Sequence, residues 1–252
     1  MTRPTPPQVI PRPTTWRLGA PAPWAALPEA DRRGIGIDTV LAALAARGQS
    51  GPVPEDVGLD RVLGPTVLVD AVAPAVRAVN AGVLAVLFEE QGEARVVLTR
   101  RSFSLRSHRG EVSFPGGRMD TGEDAAAAAV REAHEEVALD PAGVTVVGWI
   151  HPVLTVGSGS LIMPLLATVP SRPHLVPSPD EVERVFDVQL SELADPDVFR
   201  EEYWSIPGRE IPSSPDNSFA VWFFEVAGEI VWGATARMLH ELLSIVLVPA
   251  PK

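Results

Sequence analysis

Apolar positions follow two different periods along this chain, and both are clearest beyond residue 80. Runs of aliphatic and β-branched residues at 83–88, 95–99, 111–114, 144–150, 161–169 and 218–226 predict strands, whereas helical spacing at 37–46 and 233–245 predicts a short amphipathic helix and a closing helix. Residues 152–170 carry no charge, but prolines 152, 164 and 170 and the turn at 157–160 interrupt them. They read as two buried strands around a turn, not as a membrane span. The first 30 residues are proline-rich and predict an extended or partly disordered start, with Trp16 and Trp24 pinning its later part onto the domain. The stretch up to Val79 is loop-rich, and no internal repeat is evident. With 252 residues and 46% hydrophobic content the chain can bury a full core. The expected organisation is therefore an N-terminal extension over 1–79 and one α/β domain over 80–252, with a mixed sheet between helices.

One segment departs from ordinary patterning. Behind the alanines at 125–129, Glu132, Glu135 and Glu136 stand at i, i+3 and i+4, which predicts one helical face carrying three carboxylates. Such like charges repel by roughly 0.2–0.5 kcal/mol per pair in water, and more where buried. A hard divalent cation such as Mg²⁺ would neutralise them; the plainer reading is a solvated acidic face. The surroundings favour the cation. Phe114-Pro115-Gly116-Gly117 predicts a strand ending in a tight turn, where glycine backbone can approach a ligand closely. Thr121 and Asp124 form a capping-box pattern that predicts helix entry near residue 121, with Glu123 and Asp124 at the positive end of the dipole. Arg131 can reach Glu135 on the same helix, or Glu123 by a longer route, and reads as an orienting ion pair.

These residues together resemble the Nudix box, with Gly117, Glu123, Arg131-Glu132, Glu135-Glu136 and an apolar Leu139 all at the family's spacing. Ala138 stands where the family places a second glycine. The resemblance implies a Nudix-type α/β/α sandwich and hydrolysis of a nucleoside diphosphate linked to another group, with Mg²⁺ or Mn²⁺ as cofactor. Carried over by position, Glu132 and Glu136 would be the principal metal ligands, Glu135 a further ligand or the base, and Gly117 a backbone ligand. Glu123 and Arg131 would brace the helix. A narrower resemblance lies just upstream: Leu98-Thr99-Arg100-Arg101-Ser102, then Arg106, Gly110 and Phe114-Pro115-Gly116-Gly117, is similar to the coenzyme A pyrophosphatase branch. Trp232-Gly233 opening a helix near the C-terminus also looks like that branch.

Charge adds to this picture. The chain holds 32 acidic and 21 basic residues, yet Arg100, Arg101, Arg106, Arg109 and Arg118 fall in one short stretch. A local basic patch in an acidic protein suits a small polyanion better than a long nucleic acid, and arginine's fork takes phosphate oxygens in pairs. Arg101, Arg106, Arg109, His108 and Arg118 are the candidate substrate contacts. Arg106 and Arg109 lead that set, and His108 is a local hydrogen-bonding residue before it is an acid or base. Glu135 is the first candidate for general base, with Glu181 or Glu183 second; a polar turn leading into a strand is the plainer reading of those two. The expected reaction is attack of water on the diphosphate of a coenzyme A-type substrate. Another nucleoside diphosphate derivative, such as ADP-ribose or a dinucleotide, or a non-catalytic nucleotide-sensing module, are the alternatives. Cysteine is absent and no signal-peptide pattern opens the chain, so a cytoplasmic protein without disulfides is expected. No nucleic-acid or membrane partner is expected, and the oligomeric state is left open.

Overall fold

The computed structural model describes residues 8–54, 79–155, 160–205, 207–208, 214 and 216–249. The extreme proline-rich start, most of the loop-rich stretch before Val79 and most of the 157–160 turn lie outside the described residues. Strand β2 (Ala81–Glu90) is the axis of the molecule, and its first eight residues are all buried. A run without alternation means that both faces are covered. Leu84, Val86 and Phe88 pack with Ala129, Ala133 and Val137 of helix α2 (Ala125–Val137) on one side. Val83, Ala85 and Leu87 belong to the core on the other side. Helix α1 (Ile37–Ala46) supplies Val40 and Leu44 to it, and the C-terminal helix, Gly233–Leu247, supplies Ala236, Leu239 and Leu243. This is a mixed α/β fold with helices on both faces of the sheet.

Eight strands build that sheet. β3 (Glu93–Arg101) lies antiparallel to β2, while β8 (Leu161–Thr168) lies parallel to it on the other side. β4 (Val112–Ser113) and β9 (Val182–Gln189) flank β3; β6 (Thr145–Trp149) and β7 (Val153–Leu154) pair with β8. β5 (Gly116–Arg118) adds to the start of β2. A second, four-stranded sheet runs in the order β1 (Thr15–Leu18), β10 (Phe199–Ser205), β11 (Phe219–Val226) and β12 (Glu229–Trp232). The short helix α3 (Leu190–Leu193) follows β9, and the C-terminal helix is α4. Trp24 is fully buried with ring contacts to Phe199 and His240, so part of the N-terminal segment is core; Trp16 stays partly exposed beneath the Arg12 guanidinium.

Two local expectations are corrected. Helix α2 starts at Ala125, not near 121, because the Asp124 carboxylate caps it by accepting from the Ala127 N–H at 2.8 Å. The predicted tight turn at 114–117 is instead the short strand β5. A side chain on Gly116 (φ 150°) would meet the Gly82 carbonyl at 2.4 Å and Val83 Cα at 2.5 Å, so only glycine lets this backbone lie so close to β2.

Candidate metal centre

Close packing of α2 on β2 sets the site. A Cβ on Gly82 would stand 2.1 Å from the Ala125 carbonyl oxygen, and the alanine face of the helix has no bulk to hold the two apart. Glu136 therefore points inward, only 3% exposed, and its Oε2 accepts from the Gly116 N–H at 3.1 Å. One turn earlier Glu132 folds over Gly117: a Cβ there would lie 2.4 Å from the Glu132 carboxyl carbon. The third carboxylate arrives from a distant element. Val176 and Ser178 donate their N–H groups to the Val137 and Glu136 carbonyls at 2.9 and 2.8 Å, which docks the approach to β9 against the end of α2. That turn carries Glu181. Oxygens of Glu132, Glu136 and Glu181 then lie within 4.8 Å of one another, the one such acidic group among the described residues.

Glu135 lies outside this group. Packing of α2 against β5 turns Glu136 toward Gly116, while Glu135 stays on the outer side with Arg131. The expectation of one shared face for all three glutamates is corrected on that ground. Arg131 is the hub of the outer side. It makes a two-pronged pair with Glu123 at 3.0 Å for each bond, reaches Glu132 at 3.0 Å and Glu135 at 3.3 Å, and donates to the Arg118 carbonyl at 3.0 Å. These contacts hold the Glu123 carboxyl below the ordinary carboxylate range, the Arg131 hydrogen bonds first and the Asp120 N–H next. Glu183 is exposed at the register shift between β3 and β9, where Arg100 and Arg101 face Arg184 and Val182 and leave it unopposed.

Burial is the leading electrostatic fact of the centre. Desolvation pushes the Glu136 carboxyl up to about 7, against the Gly116 N–H and the Arg101 charge, which favour ionisation; Glu132 and Glu181 push it further up. A hard, oxygen-only donor set of three carboxylates, one of them disfavoured as an anion by burial, fits a divalent cation. Among the other sequence-predicted residues, Arg101 sits at this centre, its Nη1 3.7 Å from Glu136 Oε1. The loop from 102 to 111 carries Arg106, His108 and Arg109, all exposed. His108, at φ 55°, pairs with Glu111 at 2.9 Å, and Arg109 bonds the Leu105 carbonyl within the loop. Arg118 is exposed on β5. Arg100 is buried against Glu229, 3.1 Å away, so it belongs to the link between the two sheets. The sequence reading treated Glu181 only as a possible base; its place beside Glu132 and Glu136 depends on the docking of the turn at 176–182.

The NUDIX domain family matches this chain over residues 78–207, slightly more than half of its length. The chain belongs to the Nudix family. A Nudix hydrolase named NudL from Citrobacter koseri, itself described as uncharacterized, is 36% identical over 154 residues, 58% of this chain and 72% of that one. A NudL of Salmonella paratyphi B is 37% identical over the same shares. Among solved structures, the Nudix hydrolase RenU of M. smegmatis shares 27% identity over 44% of this chain and 70% of its own, with a TM-score of 0.39. As a Nudix enzyme the chain is a hydrolase acting on pyrophosphate bonds of nucleoside diphosphate derivatives. Nudix hydrolases generally use divalent metal ions, and the acidic group just described is the candidate place for one. No helix among the described residues is long and apolar enough to cross a membrane.

Proposed function

We propose that this Nudix hydrolase cleaves the diphosphate of coenzyme A or an acyl-coenzyme A, releasing adenosine 3′,5′-bisphosphate and 4′-phosphopantetheine or its acyl form. The observation that carries the reading is the tie between the arginine-bearing loop and the turn of Glu181. Ser102 N–H donates to the Glu181 carbonyl at 2.8 Å and Ser104 Oγ to the Asp180 carbonyl at 3.3 Å. The tie supports a role for Arg106 and Arg109, which the same loop carries, near the carboxylates. A substrate with a diphosphate and a further phosphate has anionic groups for both places. The resemblance of 98–117 to the coenzyme A pyrophosphatase branch points the same way.

In this reading Glu132, Glu136 and the Gly117 carbonyl would hold Mg²⁺ or Mn²⁺. A bound dication would acidify water and offset charge on the diphosphate oxygens. Glu181 is the general base in preference to Glu135 or Glu183. Its carboxylate has no hydrogen bond or ion pair of its own among the described residues, whereas Glu135 is paired with Arg131 at 3.3 Å. Water adds to one phosphorus of the diphosphate, the bridging P–O bond breaks, and the proton of the attacking water passes to Glu181. Glu123 and Arg131 keep the start of α2 and the 118–123 turn in place, and Arg101, Arg106 and Arg109, with His108 and Arg118 at the margin, receive phosphate oxygens.

The test is a panel. Purified full chain with Mg²⁺ or Mn²⁺ is offered coenzyme A, acyl-coenzyme A, ADP-ribose and NADH, and the products are read by mass. Preferential release of adenosine 3′,5′-bisphosphate from coenzyme A is the expected result. Clear preference for ADP-ribose or NADH would replace the substrate assignment, and silence on the whole panel would favour a binding module.

A further inference from the structure

The arginines around the centre are held in different ways. Arg131 is satisfied on every side by Glu123, Glu132, Glu135 and the Arg118 carbonyl, and Arg100 is paired with Glu229. Arg101 is held far more loosely. Its Nη1 faces Glu136 Oε1 at 3.7 Å, beyond hydrogen-bond reach, and its Nε is buried with no hydrogen-bond partner. Buried N–H groups without an acceptor occur elsewhere among the described residues, as at Trp24 and Gln49; what sets Arg101 apart is that its nearest carboxylate stays beyond hydrogen-bond distance. Arg101 also stands where a dication must come. Glu136 accepts the Gly116 N–H on Oε2, so Oε1 is the oxygen more open to a metal, and it is the oxygen that Arg101 faces.

We propose that Arg101 is a resident counter-cation: it neutralises Glu136 until the divalent ion arrives, then leaves that oxygen and passes to a phosphate of the substrate. The proposal rests on the reading of Glu132 and Glu136 as metal ligands, and on no particular substrate. A guanidinium and a dication at one carboxylate oxygen repel each other, so the arriving ion drives the arginine off. The register shift of β3 at Arg100 and Arg101 and the partial exposure of the Arg101 side chain, 28%, give it a way toward the open side of the site. A phosphate ester or diphosphate there offers paired acceptors, which supply the hydrogen bonds that Glu136 does not. Because each ligand then prepares the site for the other, metal and substrate raise each other's affinity by the same factor.

The experiment measures Mn²⁺ affinity by electron paramagnetic resonance on the full chain without nucleotide, for wild type, Arg101→Gln, Arg101→Lys and Glu136→Gln. Circular dichroism checks that each is folded. Removing the resident cation is expected to tighten Mn²⁺ binding about 5- to 20-fold in Arg101→Gln, while Arg101→Lys, which keeps the charge, stays within about 3-fold of wild type. Unchanged or weaker binding in Arg101→Gln overturns the exchange, and so does a lysine variant that binds as tightly as the glutamine one. Glu136→Gln separates this failure from that of the site itself. If it leaves Mn²⁺ binding intact, the metal-site reading falls, and the exchange with it.

Discussion

At the level of single residues, Glu136 has the largest consequence. Its carboxyl is raised from 4.5 to about 7 in the fold, chiefly by burial. The folded state therefore holds a proton that the unfolded state has released, and stability falls as pH rises from 4.5 through 7; the loss is complete above that window. The cost at pH 8 without metal is on the order of 3 kcal/mol. His240 runs the other way. Burial lowers it to about 4, so its contribution is present above 6.5 and lost as pH falls through 4. The informative quantity is thus the difference between wild type and Glu136→Gln in chelator. The variant is expected to gain stability over wild type as pH goes from 5 to 8, by chemical denaturation, while turnover drops by at least about 100-fold. Parallel curves for the two proteins would show that the Glu136 carboxylate is not disfavoured by its surroundings.

Among the elements, α2 shows both what local pattern reveals and what it conceals. Alanine content and glutamates at i, i+3 and i+4 make a helix with an acidic face legible without coordinates, while its start at the Asp124 cap was not. Spacing alone did not separate Glu135 from Glu136, because both are compatible with the face of Glu132; packing against β5 decides between them. Ala138 is left-handed, φ 55° and ψ 31°, with its N–H on the His134 carbonyl. Alanine there costs about 1 kcal/mol more than glycine. Ala138→Gly is expected to raise the melting temperature by about 2–4 °C and to leave turnover within a few-fold, since Glu136 is fixed upstream by Gly116 and Ser178. A large loss of turnover in that variant would mean that the helix end shapes the metal centre.

For the whole molecule, the residues before the matched family region are the open question that stability can address. Trp24 is fully enclosed between Phe199 and His240, and α1 packs in the same core. Trp24→Ala is expected to cost about 3–5 kcal/mol in urea denaturation. A loss below about 1 kcal/mol would mean that this segment adds little to the fold. The second sheet was legible only at β11. In β10 the charged run Arg200-Glu201-Glu202 breaks the apolar pattern, yet Glu202 is wholly buried, paired with Arg12 and Arg200 and bonded to the Trp204 indole. Two of these partners stand in β10 itself, but Arg12 comes from the N-terminal segment, and no local window of sequence contains it.

What this sequence determined by itself is whatever depends on neighbours along the chain: helix α2 and the glutamates along it, the central apolar strands, and the Nudix pattern that names the chemistry. Tertiary structure alone decided that Glu181, and not Glu135, joins Glu132 and Glu136, that Gly116 and Gly117 make room for them, and that Arg101 faces the more open oxygen of Glu136. The division has a physical cause. Helical spacing is a local property of bonds and angles, whereas a cluster of like charges forms only where hydrogen bonds between distant segments hold them against their own repulsion.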